Sequence, residues 1–302
     1  MLMQIVERTH ALLRETPVVR RAAPTLAASW HELDRSHVLY ETRRRARHGY
    51  RRKFPVTVAF APEAPRYFHG AYQLCISLNV DVVPLARSDV AIHFVDRTVR
   101  DEPPSELDPR AINARLRDIS KRHVNEVHGR VFGYDLSPEP GTAELMEKSD
   151  DNAAHDGRVV DRPSGTPGVV TQRLVDNRLT DHVVVDHRVC VMDGRIVYAI
   201  LRHRPIHDRF RHVSANRLAL AVEPSSQFSE VELANLVVMA QVMGADWADL
   251  DVLRDRTSGR VYVVDVNGTP AAPSDGLRDQ ELATYWRLQE AGFAELLRAH
   301  AR

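Results

Sequence analysis

The sequence predicts a mixed protein, a small α/β unit followed by α+β lobes, and three observations carry that reading. Strand-forming runs flank short turns at Asp193-Gly194 and at Arg256-Thr-Ser-Gly259, the pattern of two antiparallel hairpins. Apolar residues recur at helical spacing over 110–131, 230–243 and 278–300. With 302 residues, 43% of them hydrophobic, the chain is long enough for two or three packed units.

Residues 1–52 read as a helical extension. Ile5, Leu12 and Leu13 give no strand alternation, and the stretch from Arg43 to Lys53 holds seven Arg and Lys residues, read as a solvated helix face. Val56-Thr-Val-Ala-Phe60 and Asp89 to Val95 read as strands of a partly parallel sheet, with Ala71 to Val80 ambiguous between helix and strand. Asp101-Glu-Pro-Pro104 and Pro109 mark a linker. Over 110–131, Ile112, Leu116, Ile119, Val124, Val127 and Val131 recur at helical spacing; Lys121 falls inside this predicted helix and Gly133 is placed to close it. Glu144 to Lys148 and Arg158 to Val160 read as strands around the polar loop 149–157, which lacks the Gly and Glu positions of a calcium hand, and Gly168 to Val175 follows. Val183 to Met192 and Arg195 to Arg202 form the hairpin about Asp193-Gly194. Ser229 is a suitable N-cap for the helix 230–243. These boundaries divide the chain into a helical extension (1–52), an α/β domain (53–112), a small lobe (113–176) and a large lobe (177–302).

Composition narrows the function. Lys plus Arg and Asp plus Glu number 41 each, so no global field favours nucleic acid or an anionic membrane. The longest apolar runs, such as Leu218-Ala-Leu-Ala-Val222, fall far short of the ~20 residues a membrane helix needs. The N-terminus lacks the basic start and apolar stretch of a signal peptide, and Cys75 and Cys190 are isolated, so a cytoplasmic protein without disulfides is expected. Only three basic residues are lysines: Lys53, Lys121 and Lys148. A lysine retained in so Arg-rich a chain is a candidate for reaching a phosphate as a compact, flexible charge; Lys53, inside the basic run, is read as chance survival.

The most informative segment is the last hairpin. Asp251 stands on one arm and Asp265 and Asn267 on the other. Side chains alternate along a strand, so Asp265 and Asn267 share a side, and Val264 and Val266 are expected on the other, in a core. Acidic residues and Asn are depleted in strands, so their presence between valines needs a cause. Three oxygen ligands without His or Cys suit one or two hard cations such as Mg²⁺, with Mn²⁺ as an alternative; the competing reading is a hairpin with a solvated polar side. Histidines 182, 187, 203, 207 and 212 make no helical His-x-x-x-His pair and are read as surface or turn residues.

In this order the pieces over residues 113–277 resemble the ATP-grasp superfamily, which includes glutathione synthetase, D-alanine–D-alanine ligase and the glutamate ligases of ribosomal protein S6. Asp251…Asp265-Val-Asn267-x-x-Pro270 is similar to its metal motif. Asp118-Ile-Ser-Lys121 and Glu147-Lys148 resemble its two ATP-contacting lysines, with Ser149, His155 and Gly157 in the phosphate lid. Gln172-Arg173-Leu174-Val175 resembles the hinge whose backbone receives adenine, and Asp186-x-Arg188 with Arg202 matches the Asp-x-Arg…Arg spacing. The sequence departs from the pattern in a glycine-poor lid, Ser149 after Lys148, Arg173 after Gln172 and Asp265 in place of Glu; Phe210-Arg211…Asn216 matches the substrate-side pattern only loosely.

The resemblance implies an ATP-grasp fold and an ATP- and Mg²⁺-dependent ligase that joins a small-molecule carboxylate to an amine through an acylphosphate. Lys121 and Lys148 would neutralise phosphate, and Arg188 and Arg202 would stabilise the tetrahedral intermediate. A phosphotransferase on the same fold and a nucleotide-binding protein without turnover are the alternatives. Strict two-residue pairing about Asp193-Gly194 would place Arg188 and Arg202 on opposite faces, so a one-residue bulge is predicted between them.

Overall fold

The computed structural model describes residues 53–138, 144–152, 154, 156–210, 217–271 and 276–301. The helical reading of 1–52, site residue His155 and the stretch 211–216 lie outside them.

The chain after Lys53 builds a three-stranded parallel sheet, ordered β2-β1-β3, from β1 (Thr57–Pro62), β2 (Asp81–Val82) and β3 (Val90–Phe94). Helix α1 (Gly70–Leu78) makes the crossover, which settles the ambiguous 71–80 stretch as helix. All five residues of β3 are buried, as expected of a strand covered on both faces.

The helix predicted over 110–131 is shorter. Helix α2 (Lys121–Phe132) starts where Ser120 caps it, its Oγ accepting from His123 N at 3.3 Å, and ends at Gly133 with φ 77°. Residues 111–119 are irregular, although Ile112, Leu116 and Ile119 are fully buried. Asn113 explains the difference: at φ 62° it leaves helical backbone, and its carboxamide accepts from Asp246 N and Trp247 N, both 2.9 Å, and donates to Trp247 O at 2.8 Å. The apolar spacing there records contacts with several elements rather than one helix face. Lys121 is therefore the first residue of a helix, not an interior one.

Strands β4 (Leu145–Ser149), β5 (Arg158–Val160) and β6 (Val169–Arg173) form a second, antiparallel sheet with β4 central. The third sheet holds β7 (Arg178–Thr180), β8 (Val183–Met192), β9 (Arg195–Pro205), β10 (Arg217–Ala221), β11 (Trp247–Arg254) and β12 (Val261–Asn267), in the order β10-β9-β8-β11-β12 with β7 on the free end of β8. Helices α3 (Glu230–Val242), opened by a capping box at Ser229 and Glu232, and α4 (Asp279–His300) complete the fold.

One face of the large sheet packs Val189, Val191, Ala248, Leu250, Val263 and Val266 against Leu236 and Met239 of α3 and Val124 and Val127 of α2. The other packs Cys190, Met192, Tyr198 and Trp247 against Phe293 and Leu297 of α4 and reaches Leu74 and Ile92 of the first unit. One continuous core thus locks the first sheet to the large one. Among the described residues, no helix is long and apolar enough to cross a membrane.

Both hairpins carry a bulge. On β9, Cys190 pairs with Tyr198 but Val191 with Ile196, leaving Val197 as the extra residue. The turn itself is of the I′ kind, Asp193 at φ 48° and Gly194 at φ 67°. On β12, Asp251 pairs with Asp265 but Val252 with Val263, leaving Val264 extra. This corrects the expectation for Val264. It packs beside Tyr262, Leu136 and Val175, while Val266 joins the α3-side core.

Candidate active site

Trp247, Asp249 and Asp251 alternate with Ala248, Leu250 and Val252 along β11, so the acids lie on the face opposite the α3-side core. Cross-strand pairing then sets Asp251 against Asp265 and Asp249 against Asn267 on one side, and Asp251 against Arg188 on the other. The Val197 bulge brings Arg202 to that same face. Arg188 grips Asp251 bidentately, Nε to Oδ1 at 2.9 Å and Nη2 to Oδ2 at 3.1 Å, and Arg202 Nη2 donates to Oδ1 at 2.9 Å. Asp186 does not join them; it pairs with Arg204 and accepts from Asn177 Nδ2 at 2.7 Å.

Lys148 reaches across from β4, and its Nζ donates to the carbonyl of the bulge residue Val264 at 3.2 Å. Burial pushes its pKa down to about 8, against the pull of Asp265 and with the push of Lys121. Burial likewise raises Asp265 to about 6; Asp251 adds to the rise, and Lys121, Lys148 and Arg188 oppose it. Four of the five residues predicted to surround phosphate and metal thus sense one another's charge. The fifth, Asn267, is the next residue but one on β12. Lys121 is held by the loop predicted as the lid: its Nζ donates to Asp151 O, and Arg122 N donates to Asp150 Oδ1 at 2.9 Å.

Described residues of the predicted lid bond one another. Ser149 N donates to Asp156 Oδ1 at 3.0 Å, and Ser149 Oγ accepts from Asp151 N at 3.1 Å. Glu147, beside Lys148, is turned away and buried, accepting from Ser164 N at 2.5 Å and Arg158 Nη2 at 3.0 Å. Gly157 leads into β5 facing Met146 and Phe210. In the predicted hinge, Gln172 is buried with Nε2 unpartnered. Arg173 N donates to Leu136 O at 2.7 Å, and the Val175 carbonyl accepts from Arg209 Nη2 and Asn177 N.

The predicted metal ligands fit a cation unevenly. Asp265 Oδ1 is buried without a partner, as an oxygen awaiting a cation would be. Asp251 is already bound by two arginines, and Asn267 Oδ1 accepts from Thr269 N at 2.9 Å and Thr269 Oγ1 at 3.3 Å. Among the described residues no three acidic, His or Cys side chains are gathered closely enough to hold a metal alone. The set suits a cation that brings most of its ligands with it, as Mg²⁺ does with water and phosphate.

Sequence reasoning missed Asp249, buried with Oδ1 unpartnered and Oδ2 3.9 Å from Arg188 Nε. The signal was present: the alternation that pairs Asp265 with Asn267 also pairs Asp251 with Asp249. Burial raises its pKa to about 6, against Arg188. His187 is also not a surface residue; it is buried on the α3 side against Phe228, ring centroids 5.1 Å apart.

No protein-family model and no curated protein matches the sequence. Solved structures do. The chain is similar to the ATP-grasp ligase PsnB, solved with a phosphomimetic variant of its minimal precursor, Mg and ADP (14% identity, 61% of this chain and 58% of that one, TM-score 0.38). It is similar to a RiPP-associated ATP-grasp ligase of Chryseobacterium gregarium with ADP and a leader and core peptide (11% identity, 61% and 60%, TM-score 0.40). It is similar to the D-alanine–D-alanine ligase of Bacillus anthracis complexed with ATP (12% identity, 81% and 98%, TM-score 0.49). The chain spans about three fifths of the first two.

Proposed function

We propose that this protein is an ATP-grasp enzyme, an ATP- and Mg²⁺-dependent ligase that joins a carboxylate to an amine through an acylphosphate. The observation that carries the reading is the meeting of Lys121, Lys148, Asp251 and Asp265, from four separate elements, within range of one another's charge. Two of the three lysines in the chain converge on the one hairpin that bears acids between valines.

Lys148 and Lys121 would bind β- and γ-phosphate oxygens, and Gln172, whose buried Nε2 has no partner, would stand at the hinge that receives adenine. Asp265 would hold Mg²⁺ together with Asp251 and Asn267. When bound, the ion would screen the phosphate charge that otherwise repels an anionic nucleophile. The substrate carboxylate attacks the γ-phosphorus, the bond to the bridging oxygen breaks, and ADP leaves. The amine then adds to the acyl carbon and inorganic phosphate departs. Arg188 and Arg202 commit only part of their N–H donors to Asp251, and the remainder would meet the oxyanion of that second step.

The test is product analysis. With a panel of amines and carboxylates, the ligase releases ADP and inorganic phosphate in equal amounts with an amide. A phosphoester product without free phosphate would establish the phosphotransferase instead, and ATP binding without ADP release across the panel would leave a binding protein.

A further inference from the structure

Arg100 is 2% exposed, and its Nε, Nη1 and Nη2 all lack a hydrogen-bond partner. A guanidinium removed from water is ordinarily held by a carboxylate, because an uncompensated buried charge is costly. The nearby acids are engaged elsewhere. Asp96 accepts from Thr269 Oγ1 at 3.1 Å and lies 3.8 Å from His69 Nε2, and Glu63 faces Arg97 at 3.6 Å.

The position of Arg100 is fixed on every side. Its main chain exchanges bonds with Arg117, Arg100 N to Arg117 O at 2.8 Å and Arg117 Nη2 to Arg100 O at 3.3 Å. Two residues earlier, Thr98 O accepts from Ile119 N at 2.9 Å and Thr98 Oγ1 accepts from lid residue Asn152 N at 2.8 Å. The guanidinium lies against Gly268, between Asn267 and Thr269; a Cβ there would stand 2.5 Å from Nη2. One loop therefore touches the lid, the segment after the candidate metal ligands and the first sheet, and it carries a planar fork of five unused donors.

We infer that Arg100, beside Gly268, anchors a substrate carboxylate as a specificity determinant of the ligase reaction. The inference deepens the ligase reading and rests on it for the word substrate. The fork matches a carboxylate bidentately. The acids that act on Arg100 are Asp96 and Glu63, and neither Asp251 nor Asp265. The phosphate probe separates this anion from those that Lys121 and Lys148 would hold.

The experiment uses the full chain, with glutarate and inorganic phosphate as probes and ATP with Mg²⁺ as a separate arm. Glutarate is expected to raise the melting temperature of the wild type and to shift the Arg100 Nε–H resonance in arginine-labelled protein. Arg100→Met should melt higher than the wild type without ligand, since it removes an unpaired charge, and should lose the glutarate response. Arg100→Lys should weaken glutarate about tenfold, the expected loss of a bidentate partner. ATP affinity should stay unchanged in both variants. If Arg100→Met does not fold, the wild-type resonance decides. No glutarate response in the wild type, an equal response in Arg100→Met, or a shift of Arg100 with phosphate but not glutarate overturns the inference. Glutarate binding that depends on Arg100 in a protein that does not bind ATP would instead refute the ligase reading and leave the carboxylate anchor standing.

Discussion

Arg188 and Arg202 stand side by side on one carboxylate because Val197 has no partner across the hairpin. Without that extra residue, Arg188 would pair with Ala199 and Arg202 would face the α3-side core. The bulge turns an Asp-x-Arg…Arg spacing into a two-arginine clamp on Asp251. Arg188 carries more of it, with two bonds to Asp251 and a second acid, Asp249, 3.9 Å away. Arg188→Met should therefore destabilise the protein by about 3 kcal/mol, because it leaves buried Asp249 without a cation and Asp251 with Arg202 alone. Arg202→Met should cost less, since Arg188 still holds Asp251. A double-mutant cycle with Asp251→Asn, read by urea denaturation, should return a coupling of roughly 1–3 kcal/mol for Arg188. Additivity within 0.5 kcal/mol or so would mean the clamp is not formed in solution.

On the proposed reading, Lys148 would couple ATP binding to pH. With a pKa of about 8 in the free protein, its ammonium is present at neutral pH and is lost as pH rises through that value. A phosphate contact needs the charged form. ATP affinity should thus be nearly level from about pH 6.5 to 7.5 and fall above 8, by at most about tenfold per unit. Arginine does not titrate in this range, so Lys148→Arg should flatten the fall even if its affinity is lower. Calorimetric titrations from pH 6.5 to 9.5 check this, and a wild-type curve without the alkaline limb would remove Lys148 from the phosphate contact.

The hairpins, the lid strands, the cap at Ser229 and the closing helix were legible because each has a local signature: a turn dipeptide, alternation, or a capping residue before a periodic run. The bulge at Val197 was legible only through function, from the need to bring two arginines together. The bulge at Val264 was not, since valine at 261, 263, 264 and 266 gives no local sign of where alternation breaks. Residues 111–119 misled for a physical reason. Ile112 bridges to β3, Leu116 meets Gly268 and Ile119 bonds the Thr98 carbonyl, and contacts with three partners happened to mimic one helical stripe. Arg100 was hidden among the 38 arginines of the chain, its role set by a fold position that no spacing encodes.

Helix α2, which presents Lys121, should be acid-sensitive through His128. The ring is fully buried, stacked on Phe132 at 4.3 Å, and neither ring nitrogen has a partner. Burial holds its pKa down at about 4, against the pull of Asp135, from an ordinary 6.5. The unfolded chain takes up this proton first as pH falls. The stability is therefore complete above pH 6.5 and is lost on descending through the window from 6.5 to 4. The loss assignable to this group should be roughly 1–3 kcal/mol. His128→Phe should shallow the pH dependence of unfolding in that window while leaving stability at pH 7.5 nearly unchanged. His93 and His187, also lowered by burial, should add to the slope that remains, while Asp249 and Asp265, raised by burial to about 6, should oppose it. An unaltered slope in His128→Phe would mean that the ring is hydrated.

Gly244 joins α3 to the strand that carries Asp249 and Asp251, and it admits no side chain. Its φ of 77° lies in the left-handed region, and a Cβ built there would stand 2.4 Å from the carbonyl oxygen and 2.6 Å from the carbonyl carbon of Arg115. Both are backbone atoms, so no rotamer change relieves the contact. Either the 113–117 segment must move or β11 must begin elsewhere. The first would pull Asn113 from its bonds to Asp246 and Trp247; the second would shift the register that sets Asp251 against Asp265. Gly244→Ala combines an unfavourable φ with a backbone clash and should cost on the order of 2–4 kcal/mol. Gly259→Ala is the control. It sits at φ 70° in the β11–β12 turn with nothing within 4 Å of its Cβ, so it bears only the conformational part, about 1 kcal/mol. Equal melting temperatures for the two variants would show that the close approach of Arg115 to Gly244 is absent in solution, and with it the link that seats β11 beneath the site.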